Sequence, residues 1–189
     1  HTEERSVVHE LDENGNVISS QGDGTNPILR DFDALDRLVA RTDEWGNTIS
    51  YDYDANGNLT TLTYSDGKQV HYGYDIIDRL VEVVDWDGNV TRYEYDEADN
   101  LARVRSPDGS VIEYRYDIAN RMLGVSDTTA LGVEVYRTDR TLNDDGLIMS
   151  ESVVLPLEPD FEDSVSHRQY GAMNEVVSVD DALAEHDAD

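Results

Sequence analysis

A run of oxygen-bearing side chains, Asp52-Tyr53-Asp54-Ala55-Asn56-Gly57, has the opening pattern of a calcium loop. Such a loop gathers several oxygens on one hard cation and closes with a late bidentate carboxylate. Here the late position is Thr63, and strand geometry would send Asp52 and Tyr53 to opposite faces. The first expectation is therefore a structural turn, with a calcium site at Asp52, Asp54 and Asn56 as the rival reading. Asp85-Trp86-Asp87-Gly88-Asn89 poses the same choice. No other cofactor is expected.

Aromatic rings offer a second chemistry. The pairs Tyr51/Tyr53, Tyr72/Tyr74, Tyr93/Tyr95 and Tyr114/Tyr116 could present flat faces to sugar rings, although cross-strand packing is the more ordinary role of such pairs. Trp45 and Trp86 sit in glycine turns, where strand packing does not explain them. They are the best candidates for ligand contact, with covering the strand ends as the plainer alternative. His1, His9, His71, His167 and His186 show no metal-ligand spacing. No Ser-His-Asp set, nucleophile elbow or phosphate loop occurs. A carboxylate repeated in every turn is not a catalytic pair, because acid–base work needs two groups in different environments. The expectation is a protein that is not an enzyme.

All of these residues belong to one unit written several times. Equivalent first residues fall at 11, 32, 53, 74, 95 and 116, a spacing of 21 that never slips. A second signal keeps the same interval: Gly46, Gly67, Gly88 and Gly109. A fixed period near 20 residues is a repeat architecture, in which each unit touches mainly its neighbours. Within a unit, Ile49, Tyr51 and Tyr53 alternate with Thr48, Ser50 and Asp52, the pattern of a half-buried strand. The turn that follows ends at Gly15, Asp36, Gly57, Asp78, Asp99 or Asn120, three residue types that tolerate the left-handed backbone. The aspartate opening most turns can bond the backbone ahead of it. Pairing Tyr53 with Asn58 would put Leu59, Leu80, Leu101 and Met122 on the face opposite the tyrosines; a bulge would bring them back. Tyr53, Tyr74, Tyr95 and Tyr116 are expected in one buried row.

Composition narrows the partners. There are 42 acidic against 14 basic residues, a formal charge of −28. Phosphate backbones need Lys and Arg, so nucleic acid is disfavoured, as is an anionic membrane surface. No apolar run reaches membrane-spanning length. With no cysteine, disulfides and thiolate metal sites are excluded. His1 is not a natural start, so a processed or excised piece of a longer protein is expected. The sequons at Asn58 and Asn89 fall where the repeat already places Asn, and coincidence is the expected reading.

The layout Tyr-x-Tyr-Asp-x-x-Gly-Arg/Asn-Leu, followed by a glycine turn, resembles the RHS or YD repeat, closely over about 7–127 and weakly over 136–178. The resemblance implies a long antiparallel strip wound into a hollow shell. In bacterial RHS proteins and the C components of insecticidal toxin complexes such a shell holds a toxic domain. In teneurins it serves adhesion, and wall-associated members have been linked to carbohydrate. This chain lacks the Asp-Pro-x-Gly-type motif that closes those shells before the variable domain, so no aspartate here is assigned to self-cleavage.

The expectation is thus an all-β antiparallel hairpin meander forming a curved strip, one segment of a larger β-shell. It divides into a repeat array at 1–127, degenerate repeats with a proline-rich insertion at 128–178, and an acidic tail at 179–189, expected to be frayed, with a short helix at 180–186 as the alternative. The expected function is a non-enzymatic wall segment of a secreted or toxin-delivery protein. Its partners would be other segments of the parent polypeptide and an enclosed toxin domain. The alternative is an extracellular adhesion or carbohydrate-binding module, calcium-dependent in one version, contacting a cell-surface glycan. Either places the protein outside the cell or on its surface.

Overall fold

Short apolar-alternating runs separated by five-residue turns can only pair with their neighbours, and that is the architecture. In the computed structural model the described residues are 6–155, 164–170 and 176–183. His1, the proline-rich stretch 156–160, residues 171–175 and the end of the acidic tail from 184 lie outside them. Among the described residues every element is a strand. The chain falls into two units, 1–90 and 91–189. The first holds β1 (Val7–Leu11), β2 (Val17–Gly22), β3 (Ile28–Phe32), β4 (Leu38–Thr42), β5 (Thr48–Tyr53), β6 (Leu59–Thr63), β7 (Gln69–Tyr74) and β8 (Leu80–Val84). The second holds β9 (Val90–Tyr95), β10 (Leu101–Arg105), β11 (Val111–Tyr116), β12 (Met122–Thr128), β13 (Glu134–Leu142), β14 (Ile148–Leu155), β15 (Ser164–Tyr170) and β16 (Val176–Leu183). Within each unit every strand pairs antiparallel with the one before and the one after it.

Both ends of the strands use the same turn. In Asp54–Asn58, the Asp54 N–H donates to the Asn58 carbonyl at 2.9 Å and the Gly57 N–H to the Asp54 carbonyl at 3.2 Å. The glycine turn Asp43–Asn47 repeats this at 2.9 and 3.0 Å. The fourth turn position needs a left-handed backbone. Gly46, Gly57, Gly67, Gly88 and Gly109 supply it at φ between 82 and 96°. Asp36, Asp78, Asp99 and Asn120 hold the same region at 59 to 66°, which aspartate and asparagine tolerate best among residues with a Cβ.

The two ends differ in register. After each Tyr-Asp turn the ladder slips by one residue: Tyr53 pairs with Leu59, but Asp52 with Thr61. Tyr74 pairs with Leu80 and Gly73 with Glu82, and Tyr116 with Met122 and Arg115 with Gly124. The register in which Tyr53 opposes Asn58 does not form. A bulge at Thr60 returns Leu59 to the tyrosine face, because an extra residue in one strand reverses the side of what precedes it. Around most glycine turns the register is unbroken, as in Thr63↔Gln69, Leu62↔Val70 and Thr61↔His71.

One face therefore carries Tyr51, Tyr53, Leu59, Leu62, Val70, Tyr72, Tyr74, Leu80 and Val83 in unit 1. The opposite face carries Asp52, Thr61, His71 and Glu82. No second layer covers the first face within the described residues. Val70, at 8% exposure, is the one buried apolar residue there. The tyrosines expected as a buried row are half-buried instead: a single sheet shields its rings only by neighbours in the same plane.

After Ser126 the repeats lengthen rather than dissolve. Strands β13 and β14 have nine and eight residues against five or six in the regular array, which accounts for the displaced copy at Leu142–Ile148. That copy keeps the bulge, pairing Leu142 with Ile148 and Thr141 with Ser150. The turn Thr129–Val133, with Gly132 at φ 77°, is one the sequence reading missed. It opens with Thr in place of Asp, and Thr129 Oγ1 accepts from the Val133 N–H at 3.2 Å. The short helix considered at 180–186 is not formed at 180–183. Those residues belong to β16, where β15 supplies backbone partners through Ser166↔Asp181 and Val165↔Ala182.

Candidate functional site

Each Tyr-Asp turn is clasped by its opening aspartate. Asp54 Oδ1 accepts from the backbone N–H of Asn56 at 2.9 Å and of Asn58 at 2.8 Å, and Oδ2 accepts from Asn58 Nδ2 at 3.1 Å. Asp33, Asp75 and Asp117 use an arginine in the last position: Arg37 Nε, Arg79 Nε and Arg121 Nε donate to them at 2.8, 2.7 and 2.6 Å. The backbone N–H bonds, above all, hold the carboxyls of Asp33, Asp54, Asp75 and Asp117 below the usual range. For Asp12, Asp43 and Asp85 the leading cause is the amide of Asn16, Asn47 or Asn89. Lowered folded-state values mean stability present above the unfolded carboxyl value of about 3.9 and lost as pH falls through the folded ones. The protein is expected to keep a constant thermal midpoint from pH 7 down to about 5 and to lose it steeply below about 4. A midpoint flat to pH 2 by circular dichroism would show that these clasps contribute nothing.

The tyrosine ending each strand reaches back to the preceding repeat. Tyr53 Oη donates to the Leu38 carbonyl at 2.9 Å, Tyr74 Oη to that of Leu59 at 3.0 Å, and Tyr116 Oη to that of Leu101 at 3.1 Å. The acceptor is always the first residue of the bulged strand. Partial burial raises all three phenols above their ordinary value. Tyr53 also lies beneath Arg37, whose guanidinium carbon is 4.7 Å from the ring centre.

A second set of links runs forward, and nothing in the local pattern announces it. The last turn position alternates: Asn16, Arg37, Asn58, Arg79, Asn100, Arg121. Where it is Asn, its amide crosses to the left-handed residue of the next turn: Asn16 Nδ2 to Asp36 Oδ1 at 2.8 Å, Asn58 Nδ2 to Asp78 Oδ1 at 2.7 Å, Asn100 Nδ2 to Asn120 Oδ1 at 3.0 Å. Where it is Arg, the guanidinium can reach a backbone carbonyl of the next turn, as Arg37 Nη1 reaches Asp54 at 3.2 Å and Arg121 Nη1 reaches Asn143 at 2.9 Å. Asn56 joins the first kind, donating to Asp78 Oδ1 at 2.8 Å. The sequon residues Asn58 and Asn89 are both held by aspartates, Asn89 Nδ2 by Asp85 Oδ2 at 2.9 Å.

These bonds engage both oxygens of Asp54 and orient the amide of Asn56, two of the three residues considered for calcium. Asp54 is committed to its own turn and Asn56 to Asp78, while Asp52 stands exposed on the polar face. Among the described residues no group of three His, Asp or Glu is placed to hold a metal. Added calcium is expected to leave the thermal midpoint where it is. A rise reversed by chelator would restore the calcium reading.

The polar face of unit 2 carries an ion-pair ladder. Arg103 bridges Glu94 at 2.9 Å and Glu113 at 2.5 Å, and Arg105 meets Glu94 at 2.8 Å. Further along, Arg115 and Arg137 both pair with Asp139. Exposed ladders of this kind are worth little each but fix which residues stand opposite. On the other face of β13 and β14, Arg140 Nε donates to the buried Glu151 at 2.7 Å, so the face apolar in the regular repeats is charged here.

The two tryptophans part company. Trp45 is 78% exposed. Trp86 is 47% exposed and is braced: the ring of Tyr64 meets it edge-on at 5.8 Å, and Lys68 Nζ lies 5.4 Å from its centre. Sequence reasoning singled out Trp86 but not Tyr64 or Lys68. Aligning the glycine turns would have shown both, since Tyr64 occupies the place of Asp43 and Asp85, and Lys68 that of Asn47 and Asn89.

The family model described as RHS Repeat matches residues 32–69, 53–90, 78–111 and 95–134. No curated protein matches the chain. Among solved structures, a TcdB2-TccC3-Cdc42 crystal structure aligns with a TM-score of 0.72 at 16% identity. It covers 93% of this chain and 11% of that one. The Photorhabdus luminescens Tc holotoxin pore aligns at 0.70 with the same identity and coverage. The chain thus spans about a ninth of the length of the proteins whose fold it shares.

Proposed function

Because this chain belongs to the RHS-repeat family, we propose that it is a wall segment, a non-enzymatic stretch of β-strip in a larger encapsulating shell. The observation that carries this is the absence of a core among the described residues. Ordinary domains bury an apolar face against a second layer; here the tyrosine face stays half-exposed and Val70 is the one buried apolar side chain among the described residues. Stability resides instead in links between successive turns and strands, the economy of a repeat array. Such a sheet makes a boundary rather than a pocketed catalyst. Its partners are further segments of the parent polypeptide and, as cargo, an enclosed toxin domain. The structural neighbours, which are toxin complexes, support this delivery role and a secreted location.

Electron microscopy of the complete parent protein tests the reading. A closed hollow particle with density inside is the expected result. An open strip with its tyrosine face accessible would overturn it and make the protein a binding surface.

A further inference from the structure

One rung of the ladder recurs from copy to copy on the tyrosine face, two residues before the strand ends. In the central copies it sets a ring against an aliphatic side chain: Tyr51↔Leu62, Tyr72↔Val83, Tyr93↔Val104 and Tyr114↔Val125. In the first copy it is His9↔Ser20, bonded Nδ1 to Oγ at 3.0 Å. In the displaced copy it is Arg140↔Glu151, opposite charges bonded at 2.7 Å. The second copy sets Arg30 against Arg41, like charges directly opposed. Such a pair stands about 5 Å apart at its Cβ atoms and destabilises the sheet.

Neither arginine has a carboxylate to offset this, although Arg37, Arg79, Arg103, Arg121 and Arg140 all hold one. Arg30 Nη1 donates to Ser20 Oγ at 3.0 Å, on the strand away from Arg41. Arg41 donates to nothing among the described residues. Asp43, whose carboxylate feels its charge, spends both oxygens on its own turn. Both arginines are half-buried, and Phe32, Leu38 and Ile49 occupy the neighbouring positions of the same face. A local rule broken with no local gain is the mark of a functional position.

We propose that this rung docks a short acidic segment of a partner polypeptide, one or two carboxylates set among apolar side chains. A guanidinium fork matches a carboxylate in two parallel bonds, and Arg41 has its whole fork to give. The displaced copy shows the fit from within the chain, since Glu151 supplies to Arg140 what the partner supplies to Arg30 and Arg41. The apolar neighbours favour a peptide over a small inorganic ion. Charge limits its length. Asp33, Asp36, Asp43 and Glu44 stand at the two ends of these strands, and charges are felt over about 8 Å at physiological salt. A short segment crossing the strands at mid-length meets the arginines; a long polyanion meets the acidic turns as well. The site goes beyond the wall reading and stands without it, since a shell wall and an open strip both carry this rung.

The test is calorimetric titration of the intact chain with end-capped peptides that carry one or two glutamates among leucines and phenylalanines. Saturable binding of at least one is expected, lost when glutamine replaces its glutamates and weakened about tenfold or more in Arg41→Leu, which restores the ordinary aliphatic partner. Arg41→Glu gives Arg30 a carboxylate of its own. It should raise the thermal midpoint, followed by circular dichroism, and abolish peptide binding. No saturable binding with any of the peptides overturns the proposal, whatever particle the parent protein forms. So does binding that survives in Arg41→Glu, or a fall in that variant's midpoint, because the arginines would then not be held in opposition. Displacement of the peptide by an equal concentration of inorganic phosphate overturns it too, leaving only a general anion patch.

Discussion

Gly124→Ala lowers the stability of the β11–β13 region by about 1–3 kcal/mol, the range for forcing a methyl into filled space. Gly124 lies mid-strand on the polar face, opposite Arg115 on one side and Asp139 on the other. The Arg115 side chain crosses above it to reach Asp139, two strands away. A Cβ built at Gly124 would strike the carbonyl oxygen of Thr138 and crowd Arg115 Nη2. The arginine can swing aside, but the carbonyl belongs to a paired strand and cannot. Relief therefore requires β12 and β13 to part. Gly73→Ala is the control. Gly73 also sits mid-strand opposite a charged residue, yet its added Cβ would meet Glu82 Cβ at 3.4 Å, ordinary contact. There the smaller loss of backbone freedom in the unfolded chain should leave stability unchanged or slightly raised. Urea unfolding of both variants separates the cases. Equal effects at the two positions would show that crowding at Gly124 is not the cause.

Tyr74→Ala is the second large effect, expected at about 2 kcal/mol. Truncating a fully buried aromatic costs about 3–5 kcal/mol, and this ring is half-buried, so a smaller figure applies. Tyr74→Phe isolates the hydroxyl. It removes the donor to the Leu59 carbonyl at 3.0 Å and should cost about 1 kcal/mol, the usual net value of such a bond. The ring is thus expected to matter more than the hydroxyl. Since Leu59 opens the bulged strand, Phe at 74 should also weaken protection of the amides around Thr60 in hydrogen exchange. If Tyr74→Phe cost as much as Tyr74→Ala, the face would contribute nothing by packing.

The strands and turns were legible because their signals are local and repeated. Tyr-x-Tyr-Asp fixes the face, and the fourth turn residue fixes the backbone region, so Asp36, Asp78, Asp99 and Asn120 could be named as left-handed from type alone. The bulge was not legible. Leu59 and Thr60 both suit a half-covered face, and the Tyr74 hydroxyl that meets the Leu59 carbonyl comes from 15 residues further on. The amide link from Asn58 to Asp78 was hidden for the same reason, spanning 20 residues. Of the candidate calcium ligands, Asp54 is claimed by backbone donors within four residues, while Asp52 lies on the opposite, polar face. The tryptophans were found as exceptions to the strand pattern. The Tyr64–Lys68 corner needed a comparison of turn with turn.

The alternation of Asn and Arg at the last turn position has a consequence for how such a chain can change length. Asn16, Asn58 and Asn100 stand 42 residues apart, as do Arg37, Arg79 and Arg121. By its links, then, the array counts in pairs. An amide reaches forward to a left-handed side chain, and a guanidinium reaches forward to a main-chain oxygen. Removing a single 21-residue copy would set two turns of one kind side by side and leave the forward acceptor mismatched. Removing or duplicating two copies together would restore the sequence of links at the join. Growth by doublets is the route the side chains permit, so the gene for such a wall can gain or lose length without re-inventing its seams.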